Sequence, residues 1–159
     1  TNGAGNYTAF IHRYFTYKGY RTQLSPTSGS MGYGLPAAIA AKLADPARPV
    51  VCFAGDGCFM MTCQELATAA QYKLPIVVLI ADNGMYGTIR MHQEKHYPGR
   101  VVGTSLVNPD FVAFAQSFGA AAERVELTEQ FHDAFRRALD AGRPALIHLK
   151  IDAKALTPR

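Results

Sequence analysis

The amino-acid sequence predicts a three-layer α/β/α domain, in which helices cover both faces of a parallel sheet. Two apolar runs, residues 50–54 and 75–81, have the length and composition of fully buried strands. A helical segment separates them, and strands joined through a helix run parallel with a right-handed crossover. Both runs end in turns of Gly, Asp and Asn. We therefore expect the two turns side by side, at the sheet edge where open α/β sheets bind ligands.

The elements before these strands follow from periodicity and turn residues. Residues 7–17 fit an amphipathic helix whose aromatic residues Phe10, Tyr14 and Tyr17 are expected in the core. A loop rich in Pro, Ser and Gly, residues 25–34, precedes an Ala-rich helix that can pack closely on the sheet.

The later elements show the same kinds of signal. Thr62 and Glu65 fit a helix-capping box, and the polar stretch 92–103 is expected to be a solvated loop. His132 and His148 are interpreted as a surface and a core residue. The five expected strands are residues 20–24, 50–54, 75–81, 120–125 and 144–151, and further helices are expected at residues 35–43, 84–92, 108–118 and 128–141.

Length and composition suit a single globular domain, residues 1–159. The chain of 159 residues can bury a sizeable core, and 48% hydrophobic with 18% charged residues is ordinary for an α/β protein. Because the sequence opens on a loop with no strand before it, we expect the chain to be a piece of a longer polypeptide.

Charge and cysteine usage exclude several classes of function. The net charge of +4 is mild, and the Arg and Lys residues are scattered, so nucleic-acid binding has no support. No apolar run approaches the ~18 residues that a membrane span needs. The three cysteines, Cys52, Cys58 and Cys63, crowd into one strand-helix unit and build no disulfide framework. We expect a reduced, cytoplasmic protein.

An acid and an amide end the two central strands. Asp56 follows the first strand and Asn83 follows the second, so their oxygens are expected to lie close together. Hard oxygen ligands suit Mg²⁺ or Ca²⁺, and a single charge leaves coordination positions for phosphate oxygens. A turn-forming Asp-Gly pair is the plainer interpretation of Asp56, but the paired Asn83 favours a metal site.

The backbone around these residues suits an anion. Gly55 and Gly57 allow a sharp turn that brings N–H groups close to a phosphate. The next helix is expected to begin near Tyr86, Gly87 and Thr88, with its N-terminal N–H groups at the same edge. Together these features predict a metal-bridged diphosphate site.

The motif resembles the signature of thiamine diphosphate-dependent enzymes. Gly55-Asp56-Gly57, 24 intervening residues and then Asp82-Asn83 are similar to that family's GDG and NN pair. Residues 28–44 and 83–93 resemble the diphosphate-binding domain of acetolactate synthase-like and benzoylformate decarboxylase-like enzymes. Two positions differ from the commonest pattern, since Asp82 replaces the first Asn and Cys58 stands where several relatives have Ser.

The resemblance implies a role for each matching residue. Mg²⁺ would be held by the Asp56 and Asn83 side chains and by the Met85 carbonyl. Met31 would wedge beneath the cofactor and hold it bent, and the Gly29 carbonyl would accept a hydrogen bond from its amino group. The implied cofactor-binding set is Gly29, Ser30, Met31, Gly55, Asp56, Gly57, Cys58, Asn83, Met85, Tyr86, Gly87 and Thr88.

The resemblance also implies what the chain lacks. The family's sheet has six strands in the order 2-1-3-4-6-5, and the first would be missing here. No catalytic residue is expected in this chain, because the activating Glu belongs to a pyrimidine-binding domain, usually of a neighbouring subunit in a dimer or tetramer. The substrate would be a 2-keto acid, and any FAD would bind an absent middle domain.

Three alternatives stay open at this point. The chain could belong to a benzoylformate- or indolepyruvate-type decarboxylase, or to a non-catalytic binding module that keeps the fold. A more distant alternative is a receiver-like or phosphatase-like domain with Asp56 as nucleophile. That alternative requires further acidic residues at the first strand end, and none lies near Thr1.

Overall fold

A computed structural model describes residues 1–158 and shows a parallel sheet between helices. The strands are β1 (Val50–Gly55), β2 (Ile76–Asp82), β3 (Ala121–Val125) and β4 (Ala145–Lys150), in the spatial order β1-β2-β4-β3. The helices are α1 (Thr8–Tyr14), α2 (Gly34–Ala44), α3 (Asp56–Phe59), a 3₁₀ helix (Cys63–Glu65), α4 (Leu66–Gln71), α5 (Gly87–His96), α6 (Phe111–Ser117) and α7 (Thr128–Leu139). The predicted α/β class is confirmed, and the strand order agrees with the last four positions of the expected arrangement.

Side chains alternate between the two faces of β2, as they do in any strand. Ile76, Val78 and Ile80 pack with α2, α4 and α6 on one face. Val77 and Leu79 pack with α7 on the other face. Because β2 is buried along its whole length, the turn that follows it is held in a fixed position against the turn after β1.

The fifth expected strand, residues 20–24, is absent from the described sheet. Tyr20 is 88% exposed, and Arg21 has a left-handed φ of 58°, which an extended strand does not allow. The edge of β1 is met instead by the first residues of the chain. Phe53 N donates to the Thr1 carbonyl at 2.9 Å, and Asn2 forms a parallel bridge with Phe53.

The expectation for the first helix was wrong in two respects. α1 ends at Tyr14, where Phe15 turns to extended backbone, and none of its residues is buried. Tyr14 and Tyr17 are 62% and 39% exposed rather than packed in the core. Phe10 lines an open cleft at the carboxyl ends of β1 and β2.

The capping box expected at Thr62 does not form. Thr62 Oγ1 donates to the Gly32 carbonyl at 2.8 Å, and the Glu65 carboxylate accepts from Thr68 Oγ1 at 2.8 Å. Thr62 therefore fixes the loop before α2 and not the helix after it.

The stretch 92–103 is only partly the solvated loop that was expected, because α5 continues to His96. The Gln93 side chain then closes the loop by bonding to both the N–H and the carbonyl of Val102, at 3.2 and 2.9 Å. His132 is exposed and His148 is buried, as predicted. Within residues 1–158, no helix has the length and apolar character needed to cross a membrane.

Candidate functional site

An open cleft lies at the carboxyl ends of β1 and β2. Parallel neighbours in register, with Gly55 opposite Ala81, bring the two strand-end turns to this edge. The cleft walls come from residues 4–10, the turn 55–58, the segment 83–89 and residues 151–156.

Most of the predicted site residues meet in this cleft. Gly29 and Ser30 do not, because they lie in an exposed loop where Ser30 bonds to Ser28 at 2.7 Å. The predicted residues that line the cleft are Met31, Gly55, Asp56, Gly57, Cys58, Asn83, Met85, Tyr86, Gly87 and Thr88.

The cleft also has walls outside the predicted set of site residues. Asn6, Tyr7 and Phe10 come from the amino-terminal segment, and Leu156 comes from the segment after β4. The small residues Gly3 to Gly5 were a usable signal for a loop at this edge, whereas nothing local marked Leu156.

Asp56 is buried beneath the cleft and is held at both carboxylate oxygens. Oδ1 accepts from its neighbour Gly57 N at 2.9 Å. Oδ2 accepts from Gly84 N at 2.9 Å and from Asn108 Nδ2 at 2.7 Å. Burial raises the pKa of Asp56, the hydrogen bonds from Asn108 and Gly57 oppose that effect, and the nearby Asp82 adds to it.

Asp82 lies beside Asp56 and is the more strongly stabilised anion. Its Oδ2 accepts from His148 Nε2 and Lys150 Nζ, both at 2.7 Å, and its Oδ1 accepts from Gly84 N and Asn108 Nδ2 at 2.9 and 3.0 Å. Burial alone would raise the pKa of Asp82, but the hydrogen bonds from Lys150 and His148 lower it to about 2. The hydrogen bonds from His148 and Lys150, both on β4, therefore explain why a buried carboxylate is stable at this position.

His148 shows how the buried network is oriented. A carboxylate only accepts hydrogen bonds, so Nε2 must carry the proton that faces Asp82. Nδ1 is buried without a partner, and the ring packs edge-on against Phe111 at 5.2 Å. His148 is thus a fixed donor to Asp82.

The second predicted metal ligand sits in a braced turn. Asn83 Oδ1 accepts from Met85 N at 3.2 Å, and the Met85 carbonyl accepts from Gly87 N at 3.0 Å. Tyr86 N donates to the Thr104 carbonyl at 2.8 Å, so residues 104–106 run antiparallel beside this turn. Each of the two oxygens keeps a second lone pair that can face a cation.

The glycine turn needs its glycines because aromatic rings lie on it. A Cβ at Gly57 would fall 2.5 Å from the Tyr86 ring, and a Cβ at Gly55 would fall 2.8 Å from the Tyr7 ring. The Tyr7 ring also packs edge-on against Phe53 at 5.6 Å. Close approach, and not turn geometry alone, fixes the residue type at both positions.

The Cys58 thiol points to the amino-terminal wall of the cleft. Its Sγ accepts from Tyr7 Oη and from Gly32 N, both at 3.1 Å. Burial first, and the contact with Cys58 second, raise the pKa of Tyr7. Tyr7 therefore stays a neutral donor that anchors this wall.

Several groups expected at a phosphate make protein hydrogen bonds in this structure. The N–H groups of Gly57, Tyr86 and Gly87 donate to Asp56, Thr104 and Met85 respectively. Thr88 Oγ1 donates to Asn6 Oδ1 at 2.8 Å and accepts from Asn6 N at 2.9 Å, which ties the amino-terminal wall to α5.

The donor set fits Mg²⁺ and a diphosphate. One carboxylate, one amide oxygen and one backbone carbonyl are hard ligands on a single cleft, and their single negative charge leaves positions for phosphate oxygens. The described residues contain no cluster of three or more His, Cys, Asp or Glu side chains placed to hold a metal.

Comparisons with known proteins identify the family of the chain. Residues 3–149 match the family model described as thiamine pyrophosphate enzyme, C-terminal TPP binding domain. The chain is 37% identical over 154 residues to a probable acetolactate synthase large subunit of Methanococcus aeolicus, covering 96% of this chain and 26% of that protein. It is 39% identical over 125 residues to the acetolactate synthase isozyme 2 large subunit of Escherichia coli (strain K12), covering 78% and 23%.

A solved structure supports the fold as well. The Rhodococcus jostii RHA1 thiamine diphosphate-dependent 4-hydroxybenzoylformate decarboxylase superposes with a TM-score of 0.76 at 39% identity, over 80% of this chain and 24% of that one. The chain thus spans about a quarter of the length of these relatives. On the match that covers residues 3–149, the chain belongs to the family of C-terminal thiamine diphosphate-binding domains of thiamine diphosphate-dependent enzymes.

Proposed function

We propose that this chain is the Mg²⁺- and thiamine diphosphate-binding domain of an acetolactate synthase-like decarboxylase or carboligase that acts on 2-keto acids. The convergence of Asp56, Asn83 and the Met85 carbonyl beside the glycine turn carries the proposal. Bound thiamine diphosphate supplies the carbanion-stabilising chemistry that such reactions require.

The chain's own residues bind and orient the cofactor. Asp56, Asn83 and the Met85 carbonyl would hold the cation, and the positive end of α5 would favour the diphosphate. Met31, half-buried in the cleft wall, would contact the cofactor. Gly29 and Ser30, which lie outside the cleft here, contact the cofactor only after a movement of their loop.

The activating acid comes from another domain. Among the described residues that line the cleft, Asp56 is the only acidic one, and it is assigned to the metal. We therefore place the Glu that activates the cofactor on a pyrimidine-binding domain of a neighbouring subunit, in a dimer or tetramer. We place any FAD site outside this chain and, because the three thiols are free, the protein in the cytoplasm.

A thermal-shift titration of the complete protein tests the proposal. Mg²⁺ and thiamine diphosphate together are expected to stabilise the protein far more than either alone, by about 2.7 kcal/mol when the cofactor is at 100 times its dissociation constant. Asp56→Ala is expected to lose this synergy. Asp133→Ala is the control and is expected to keep it, because Asp133 is exposed and does not line the cleft. Equal stabilisation by Mg²⁺ alone in the wild-type protein would refute the proposal and favour a receiver-like site.

Turnover is measured in parallel on 2-keto acids. Release of CO₂ from pyruvate with formation of a carbon–carbon bonded product indicates a carboligase, and release of an aldehyde from benzoylformate indicates a decarboxylase. Cofactor binding without any turnover would identify a non-catalytic binding module.

A further inference from the structure

Asn108 joins two carboxylates beneath the cleft. Its Nδ2 lies 2.7 Å from Asp56 Oδ2 and 3.0 Å from Asp82 Oδ1. Carboxylate oxygens only accept hydrogen bonds, so the amide nitrogen, and not the amide oxygen, must face them. Asn108 therefore donates both of its amide protons to the pair, one to each carboxylate.

Asp82 has no acceptor position left for a cation. A carboxylate offers about four lone-pair sites. In Asp82 these receive Gly84 N and Asn108 Nδ2 on Oδ1, and His148 Nε2 and Lys150 Nζ on Oδ2. Although Asp82 is a buried anion next to the cleft, it is a fixed part of the frame and not a metal ligand.

Asp56 differs from Asp82 by one donor. Oδ2 accepts from Asn108 Nδ2 and from Gly84 N, whose single proton is shared with Asp82 Oδ1, whereas Oδ1 receives only Gly57 N. One lone pair of Oδ1 is therefore left to face the cleft. The donor arrangement selects a single carboxylate oxygen for the cation.

We propose that Asn108 is a positioning residue that orients Asp56, so that only Oδ1 is presented to the metal. This inference rests on the proposed function, since the cation is the Mg²⁺ of that site. Asn108 couples Asp56 to Asp82, and Asp82 is anchored by His148 and Lys150 of β4. His148 and Lys150 thus fix Asp82, and through Asn108 they set the orientation of Asp56, the metal ligand that follows β1.

Removal of Asn108 has a predictable effect. Partners of this kind behind a metal ligand typically change metal affinity by about 10- to 100-fold. Asn108→Ala is expected to weaken metal binding within that range. Asn108→Asp keeps the shape of the side chain but replaces both donors with a third carboxylate, so we expect a larger loss than with Ala.

The test is a titration of the complete protein with Mn²⁺ at saturating thiamine diphosphate. Free Mn²⁺ is monitored by electron paramagnetic resonance. The dissociation constant is measured for wild type, Asn108→Ala, Asn108→Asp and Asp56→Ala. Gln130→Ala is the matched control, because its amide oxygen accepts two backbone N–H groups near α7, at 3.0 and 3.1 Å, far from the cleft. The melting temperature of every metal-free variant is recorded.

The outcomes distinguish the positioning role of Asn108 from the proposed function of the chain. The positioning role is supported if both Asn108 variants weaken Mn²⁺ binding, Asp more than Ala, while Gln130→Ala lowers the melting temperature with an unchanged dissociation constant. Wild-type affinity in either Asn108 variant, with Asp56→Ala still defective, overturns the positioning role and leaves the proposed function standing. Cofactor-independent Mn²⁺ binding that survives Asp56→Ala overturns the proposed function itself.

Discussion

Replacing Asp110 by Ala removes the cap of the helix that follows the Asn108 loop. Asp110 Oδ1 accepts from the N–H groups of Val112 and Ala113, at 2.9 and 3.1 Å, so two of the unpaired donors at the start of α6 are satisfied by one side chain. The side chain is 57% exposed.

The expected loss of stability is that of one helix N-cap. For a chain of this length the loss of one cap corresponds to a fall in melting temperature of about 2–4 °C. Asp110→Asn keeps the accepting oxygen and is expected to lose only a small part of that.

The stabilisation that the Asp110 cap provides should depend on pH. The hydrogen bond from Ala113, opposed by desolvation and aided by Val112 and Arg124, lowers the pKa of Asp110 below its ordinary 3.8. A lowered pKa means that the charged form contributes stability above about pH 4 and loses it as the pH falls through the folded-state pKa. The gap between wild type and Asp110→Ala is therefore expected to narrow below pH 4.

The assay is urea unfolding of the 159-residue chain at pH 7 and at pH 3. Asp133→Ala, at a side chain that is 74% exposed, is the control and should change the free energy of unfolding by less than about 0.5 kcal/mol. Capping would be the wrong explanation if Asp110→Asn lost as much stability as Asp110→Ala.

Three further predictions concern the cysteines and the isolated chain. Burial raises the pKa of Cys52 to about 11, so a thiol reagent at pH 8 should label the partly exposed Cys63 first and Cys52 only on unfolding. Early labelling of Cys52, detected by mass spectrometry, would contradict its burial. Cys58→Ser should retain cofactor affinity measured by calorimetry, because a hydroxyl oxygen can also accept the hydrogen bonds from Tyr7 Oη and Gly32 N, and a severe loss would reveal a role for the thiol. The 159-residue chain alone should bind thiamine diphosphate weakly and show no measurable decarboxylation of pyruvate or benzoylformate, since loss of acid–base help alone lowers rates by ~10²–10⁴; turnover like that of the complete protein would show that the site is complete here.

The position of the metal site was predictable because its signals are local. Asp56 and Asn83 each end a buried strand, and two consecutive parallel strands in register leave their ends together. Neither long-range packing nor side-chain conformation enters that argument. The same locality explains why the boundaries of the two strands were predicted to within one residue.

The frame behind the metal site could not be predicted in the same way. Asn108 reaches Asp56 over 52 residues, and His148 reaches Asp82 over 66, with no motif that connects them. The alternation of β4 places His148 and Lys150 on one face, opposite Ile80 and Asp82 in the register. That pattern was visible in the sequence, but the partner strand was not.

The aromatic residues near the amino terminus show a different limit. A periodic pattern states that one face of a helix is apolar, but it does not state what covers that face. Phe10 faces the cleft, while Tyr14 is largely exposed. Similarly, the spacing of Thr62 and Glu65 suits a capping box, but the Gly32 carbonyl competes for the Thr62 hydroxyl.

The most direct test of the metal site is an anomalous-scattering crystal structure of the complete protein with Mn²⁺ and thiamine diphosphate. We predict a single strong peak within coordination distance of Asp56 Oδ1, Asn83 Oδ1 and the Met85 carbonyl. Asp82 should make no contact with the metal. A peak coordinated by Asp82, or one outside this cleft, would contradict the assignment.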